Sequence, residues 1–335
     1  MKYFFFILIG FIMLSFCAST RHIDAYGGQL IYQIKDASHQ FGTIIYKNSN
    51  YKANQPCVVV LHAIGERGSG SLTDLRRLIG FPAFTTLLQA ADVFGFNITF
   101  VQTSNEYELG EIPYAYQTAL LSLQADPNSM HLLAHSLGGF GLLRNGPALS
   151  MYATATLSAS GPGLNATSAQ RVAAARQVWL FTSATDTQNG TNPGVTDTLY
   201  ARLSALGANV YETKYNNFTH NGVLSGFIAA FGQAPNNWLP VGASIATGFS
   251  SPKTSWYGWI MNNHLVGPVK SPSISYIPNV VQGPIPPIII HDTLKITIQL
   301  PTVHDTLWVE HPVVPVSSWR VFSDGSIVQD SLLVK

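Results

Sequence analysis

One stretch, residues 126–141 with the sequence DPNSMHLLAHSLGGFG, constrains the fold of this chain more than any other. It predicts a turn, a short apolar strand, a sharp bend at Ser136 and the glycine-rich start of a helix. Residues 134–138, AHSLG, follow the pattern G-x-S-x-G with alanine in place of the first glycine. Small residues on both sides let the backbone make the strained bend that exposes a serine hydroxyl. We interpret Ser136 as a nucleophile; the alternative is a buried serine at a strand end.

Strand-like and helix-like patterns alternate on both sides of this stretch. The continuous apolar run CVVVL at 57–61 is typical of a strand buried on both faces, as in a parallel sheet. Further strand-like runs lie at 29–34, 42–46, 96–101, 130–134, 152–157, 177–182 and 209–215. The first two predict an opening antiparallel pair. The whole order predicts an α/β fold, with a mainly parallel sheet flanked by helices on both faces.

The N-terminus combines one lysine, an apolar run and a small-residue end, in the sequence MKYFFFILIGFIMLSFCAST. This is typical of a secretory signal peptide, which we assign to residues 1–19, and it predicts a secreted or periplasmic protein. The apolar run at 3–17 has 15 residues. A membrane-spanning helix needs about 20 residues, so we expect no membrane span. A second interpretation is a lipid anchor at Cys17, which would hold the protein at the cell surface.

The composition of the chain changes after residue 266. Residues 267–290 are rich in proline, serine and branched residues and predict a stiff linker. Residues 291–335 contain two similar segments, HDTLKITI and HDTLWVE, which predict a small β-rich tail. Between the leader and the linker, residues 20–266 form the expected catalytic α/β domain.

Net charge and cysteine content limit the partners of the chain. With 18 Lys and Arg against 17 Asp and Glu, the net charge is +1, so bulk electrostatics attract it neither to nucleic acid nor to anionic membranes. Only 10% of the residues are charged, a share that suits an exported protein. Cys57 is the one thiol left once the leader is removed, which excludes an intrachain disulfide framework.

A nucleophilic serine needs a general base and an acid that orients this base. On this kind of scaffold the partners follow in the order Ser, Asp, His. Asp186 and His220 follow Ser136 in that order, each in a loop after a strand-like run, where open α/β sheets bind ligands. We predict that His220 is the general base and that Asp186 fixes its tautomer. Asp197 competes as the acid, but its expected place in the first turn of a helix gives it a helix-dipole role.

The tetrahedral intermediate of acyl transfer needs two N–H donors. The backbone N–H of Leu137, directly after the serine, is the first. The second is expected in the loop after the strand at 57–61, at Ala63 or Ile64. The sequence contains no metal-ligand cluster, phosphate loop or dinucleotide fingerprint, so we expect no cofactor and no metal.

Several motifs, in order, resemble the α/β-hydrolase branch related to polyhydroxybutyrate depolymerases and family 1 carbohydrate esterases. They are LHAIGERGS at 61–69, DPN at 126–128, LLAHSLGG at 132–139, VWLF at 178–181 followed by Asp186, the segment ending at His220, and WYGW at 256–259. The resemblance spans residues 40–264 and implies an α/β-hydrolase fold. It also implies a secreted serine esterase with Ser136, Asp186 and His220 as the triad. Ala63 and Ala134 replace glycines of the family pattern.

The resemblance implies an ester substrate. Substrates of the family include acetylated or feruloylated plant polysaccharides and hydroxyalkanoate polyesters, so a polymer is one expectation. A serine peptidase that cleaves amides is a neighbouring alternative. A catalytically silent surface or glycan-binding protein on a hydrolase scaffold is another, because a fold does not by itself give a function.

Overall fold

The structure is a computed structural model that describes residues 27–37, 39–107, 110–160, 166–188, 191–229, 252, 254–265, 317–321 and 327–331. The expected signal peptide, the linker and both HDTL segments lie outside the described residues. The chain divides into two compact units, Met1–Pro272 and Ser273–Lys335. Among the helices that are described, none has the length and apolar character needed to span a membrane.

The first unit is built on a sheet of eight strands. These are β1 (Gln29–Gln33), β2 (Gly42–Lys47), β3 (Cys57–Leu61), β4 (Asn97–Gln102), β5 (Met130–His135), β6 (Thr154–Ser158), β7 (Gln177–Ser183) and β8 (Val210–Tyr215). Their order in the sheet is β1-β2-β4-β3-β5-β6-β7-β8. β2 pairs antiparallel with β1 and with β4, and the pairs from β4 to β8 are parallel. The predicted opening pair and mainly parallel sheet are confirmed.

Helices flank this sheet. They are α1 (Leu72–Ile79), α2 (Pro82–Phe94), α3 (Glu111–Leu123), α4 (Leu137–Asn145), α5 (Ala166–Ala173), α6 (Pro193–Ala205), α7 (His220–Ala229) and α8 (Trp256–Met261). The glycine-rich helix start predicted after Ser136 is the start of α4. The sequence patterns missed α5, and they missed α1 although its apolar residues Leu75, Leu78 and Ile79 recur at helical spacing and are buried. They missed α7 because glycines interrupt its sequence; buried side chains, including Val223 and Phe227, pack this helix onto the core.

A separate hydrophobic core lies on each face of the sheet. Leu132 and Ala134 of β5 belong to one core, and Leu133, between them, belongs to the other. Each fully buried leucine of this kind stabilises the fold by roughly 1.5–3 kcal/mol. Burial on both faces explains why the central strands read as continuous apolar runs. Cys57, at the start of β3, is a buried free thiol.

The described part of the second unit consists of β9 (Ser317–Val321) and β10 (Ile327–Ser331), which pair antiparallel. They agree with the predicted β-rich tail. In the first unit, the strand order and the sharp strand-to-helix turn after β5 are features of the α/β-hydrolase fold. The fold class predicted from the sequence is therefore confirmed.

Candidate active site

Ser136 occupies a strained turn between β5 and α4. Its φ of 49° and ψ of −109° lie in a region that residues with a side chain rarely adopt. Its backbone N–H donates to the carbonyl of Ser158 at 2.9 Å, which ties the turn to β6. A Cβ at Gly138 would lie 2.5 Å from the carbonyl oxygen of Leu61, so α4 approaches β3 too closely for a larger residue. The local sequence therefore builds the elbow that its pattern predicts.

The side chains of Ser136, His220 and Asp186 form a hydrogen-bonded chain. Nε2 of His220 lies 2.7 Å from Oγ of Ser136, and Nδ1 lies 2.8 Å from Oδ2 of Asp186. All three residues are buried, with exposed fractions of 5%, 6% and 2%. These distances allow direct proton transfer between serine and imidazole. The structure thus brings together the three side chains that the sequence analysis selected.

The segments that carry the acid and the base differ from each other. Asp186 lies in the loop after β7, where the N–H of Gln188 donates to its Oδ1 at 3.1 Å. Oδ2 of the same carboxylate therefore remains for His220. The expectation that His220 lies in a loop is wrong, because it is the first residue of α7. Because His220 begins a helix that packs on the core, its backbone has little freedom to move.

Asp197, the competing acid, has another partner. Its Oδ1 lies 2.5 Å from Nζ of Lys214 on β8. The expected place in the first turn of a helix is wrong, because α6 begins at Pro193 and Asp197 is its fifth residue. The ion pair with Lys214, rather than a helix-dipole role, explains this carboxylate.

His62 holds the loop that follows β3. Its Nδ1–H donates to the carbonyl of Ala63 at 2.7 Å, and its Nε2 accepts from the backbone N–H of Thr103 at 3.1 Å. Burial lowers the pKa of His62 to about 4, so the ring is neutral and this pair of bonds defines its tautomer. Because C=O and N–H of a trans peptide point in opposite directions, fixing the Ala63 carbonyl also fixes the N–H of Ile64.

The turn after β3 carries both candidate donors, Ala63 and Ile64. Ile64–Glu66 form one turn of 3-10 helix with Ala63 as the N-cap. Burial raises the pKa of the Glu66 carboxyl, and hydrogen bonds from the backbone N–H groups of Glu66 and Ala63 partly offset the rise. Of the two candidate donors, Ile64 lines the cavity beside Ser136, whereas Ala63 is buried. This placement favours Ile64 as the oxyanion donor beside Leu137.

His135 lies directly before the serine. Its Nδ1–H donates to the carbonyl of Ser158 at 3.1 Å, and its ring centroid is 5.3 Å from that of His220. Burial and the charge on His220 lower the pKa of His135 to about 3. His135 is therefore neutral near pH 7, so it places no positive charge beside His220.

A cavity of about 480 Å³ opens at Ser136. Ile64, Leu137 and Phe140 form its apolar lining, while Thr187, Gln188 and Thr191 line it from the loop that holds Asp186. None of the described residues that line it carries a charge. The volume falls within the range of about 300–1,000 Å³ that is usual for small-molecule sites. Within the described ranges, no group of three or more His, Cys, Asp and Glu could hold a metal ion.

Comparisons with known proteins add a fold likeness. No protein-family model matches the chain, and no curated protein matches it. Among solved structures, a thermostable esterase aligns with 16% identity and a TM-score of 0.46, over 62% of this chain and 60% of that chain. A serine hydrolase without a lid from Xanthomonas campestris aligns with 14% identity and a TM-score of 0.43, over 64% and 95% of the chains. Pyrococcus horikoshii acylaminoacyl peptidase aligns with 14% identity and a TM-score of 0.44, over 61% and 40%.

These likenesses are distant. The chain spans 60% of the length of the thermostable esterase. At such identities and TM-scores they carry no information about the reaction or substrate of this chain. The fold assignment rests on the strand order and on the turn at Ser136.

Proposed function

We propose that the protein is a serine hydrolase that cleaves carboxylic esters through an acyl intermediate on Ser136. The observation that carries the proposal is the chain of two hydrogen bonds from Ser136 through His220 to Asp186, 2.7 Å and 2.8 Å long. A serine that merely ends a buried strand would require neither a strained backbone nor an imidazole aimed at its hydroxyl. The combination supports an activated nucleophile.

Each side chain has one role in the proposed reaction. Nε2 of His220 takes the proton of Ser136 as Oγ attacks the carbonyl carbon of the ester, and the carboxylate of Asp186 stabilises the resulting imidazolium. The N–H groups of Leu137 and Ile64 donate to the oxyanion. The bond to the alcohol then breaks, and His220 returns the proton to the leaving oxygen. A water molecule, deprotonated by the same imidazole, releases the acyl group as a carboxylic acid and restores Ser136.

The cavity supports an uncharged acyl group. A charged acyl group would lose its hydration beside Ile64, Leu137 and Phe140 and would find no ionic partner among the residues that line the cavity. This loss is unfavourable. The sequence resemblance to polyhydroxybutyrate depolymerases and family 1 carbohydrate esterases supports a polysaccharide-linked ester or a polyester as the substrate. Residues 1–19 support export of the protein, with a lipid anchor at Cys17 as the alternative.

A fluorophosphonate probe tests the proposal, because it reacts covalently with an activated serine. We expect the probe to label the wild-type protein and not the Ser136→Ala variant. Acetyl, feruloyl and hydroxybutyrate esters, each paired with the matching amide, then define the substrate. Absence of labelling in the folded wild type would contradict a serine hydrolase and favour a catalytically silent scaffold. Faster cleavage of the amides would favour a peptidase.

A further inference from the structure

Thr191 places a second oxygen beside the general base. Its Oγ1 lies 3.3 Å from Nδ1 of His220, the same nitrogen that contacts Asp186. The residue is 1% exposed, and it ends the loop that carries the acid, directly before the N-cap Asn192 of α6. A lone threonine in a loop carries no sequence signal, so Thr191 is not among the residues predicted from the sequence.

The direction of the Thr191 hydroxyl follows from its other contact. It donates to the carbonyl of Gln188 at 3.1 Å, so its lone pairs remain to accept a hydrogen bond. The proton of neutral His220 lies on Nδ1 when Nε2 accepts from Ser136. Nδ1–H is therefore shared between the Asp186 carboxylate, at 2.8 Å, and the Thr191 hydroxyl, at 3.3 Å.

We propose that Thr191 is a positioning residue that acts through His220, an inference that rests on the proposed function. Its hydroxyl fixes the plane of the imidazole and stabilises the imidazolium that forms during the reaction. A hydrogen bond to a charged group is stronger than one to a neutral group, so the contact gains strength when Ser136 transfers its proton. Because Thr191 also lines the cavity at Ser136, it connects the orientation of the His220 imidazole to the wall of the cavity that receives the acyl group in the proposed reaction.

Other groups near His220 stay the same when Thr191 changes. Asp186 contacts the imidazole directly, His135 lies at a ring distance of 5.3 Å, and the charge of Glu66 acts on His220 from the turn after β3. Variants at Thr191 leave these three groups in place. A change in the pH profile then reports the hydroxyl alone.

Two substitutions separate the hydroxyl from the packing of the side chain. Thr191→Val keeps the shape and removes the hydroxyl, whereas Thr191→Ser keeps the hydroxyl and removes a methyl group. We expect kcat/KM to fall roughly 10- to 150-fold in Thr191→Val, the range that loss of one hydrogen bond to a charged group produces, and to stay within about 3-fold in Thr191→Ser. The pKa on the acidic limb of the kcat/KM profile should shift to lower pH in Thr191→Val, because the imidazolium loses a stabilising partner.

Thr198→Val is the matched control. Thr198 is exposed on α6, its hydroxyl donates to the carbonyl of Gly194 within the same helix, and it does not line the cavity. Its substitution should leave kcat/KM and the pH profile unchanged. The thermal midpoint of each variant verifies folding; if Thr191→Val does not fold, Thr191→Ser and Thr191→Ala, which differ by the hydroxyl alone, provide the same comparison.

The outcomes distinguish this inference from the proposed function. Equal activity of Thr191→Val and the wild type, or equal losses in the valine and serine variants without a pH shift, would overturn the role of the hydroxyl while the hydrolase assignment stands. A wild type that neither hydrolyses esters nor reacts with the fluorophosphonate probe would overturn the proposed function, and this inference with it.

Discussion

Nδ1 of His220 and Oδ2 of Asp186 lie 2.8 Å apart although 34 residues separate them in the sequence. Their proximity follows from the sheet. β7 and β8 are parallel neighbours whose last paired residues are Ser183 and Tyr215. Asp186 and His220 follow these two residues closely, so the chain leaves the sheet at the same edge in both places. Because the two strands pair in this register, two residues that are distant in the sequence come close enough to form a hydrogen bond.

Substitution of each aspartate in turn should show that Asp186, and not Asp197, is the acid that supports His220. We expect Asp186→Asn to lower kcat/KM by roughly 10³- to 10⁴-fold, because the amide no longer fixes the tautomer or balances the charge of His220. Asp197→Asn should change it by less than about 3-fold, since Asp197 pairs with Lys214 and not with His220. Steady-state kinetics below the thermal midpoint of both variants provide the measurement. Equal losses would show that the acid has been misassigned.

A methyl group at Gly138 should destabilise the fold. Its Cβ would lie 2.5 Å from the backbone oxygen of Leu61, and a backbone atom cannot rotate away as a side chain can. We expect Gly138→Ala to lower the free energy of unfolding by roughly 1–3 kcal/mol in a denaturant titration. Gly65→Ala is the control, because no atom lies within 4 Å of a Cβ there. Unchanged stability of Gly138→Ala would contradict the close approach of α4 to β3.

Loss of the hydrogen bonds of His62 should reduce turnover. His62→Phe removes the imidazole donor to the Ala63 carbonyl, so the peptide between Ala63 and Ile64 is held only by the longer bond from the N–H of Glu66, at 3.3 Å. We expect kcat to fall roughly 10- to 100-fold, somewhat less than loss of an oxyanion donor itself, with KM changing only a few-fold. His62→Asn, whose amide nitrogen can replace Nδ1 as the donor, should keep more of the activity. The prediction fails if kcat is the same in the two variants.

Glu212 should make stability depend on pH. It is fully buried on β8, and burial, together with Asp197, raises its pKa from 4.5 to about 8, with Lys214 acting in the opposite direction. The folded state therefore keeps a proton that the unfolded chain releases, and stability falls as pH rises from about 4.5 to about 8.

Substitution of Glu212 tests this dependence directly. Glu212→Gln has no titrating group at this position, so its loss of stability between pH 5 and pH 9 should be smaller than that of the wild type by roughly 1–3 kcal/mol. Denaturant titrations at the two pH values give the difference. Parallel curves for the two proteins would refute a raised pKa for Glu212.

Local patterns were sufficient for part of the structure. The apolar run before Ser136 and the glycines after it predicted a strand, a bend and a helix, and each of these depends on neighbours in the chain. Alternating strands and helices predicted the α/β class for the same reason. Short or glycine-interrupted helices such as α1 and α7 were missed, because packing against the core stabilises them more than intrinsic propensity does.

The sequence by itself determined the strand-to-helix turn at Ser136, the α/β class and the order in which Asp186 and His220 follow the serine. Only the tertiary structure decided that Asp197 pairs with Lys214, that Ile64 lines the cavity at Ser136, and that Thr191 contacts His220. Each of those contacts joins side chains or peptide groups from segments that sheet register and loop conformation bring together. Backbone pattern encodes local conformation, whereas the partners of a buried polar group depend on which distant segments the folded chain places beside it.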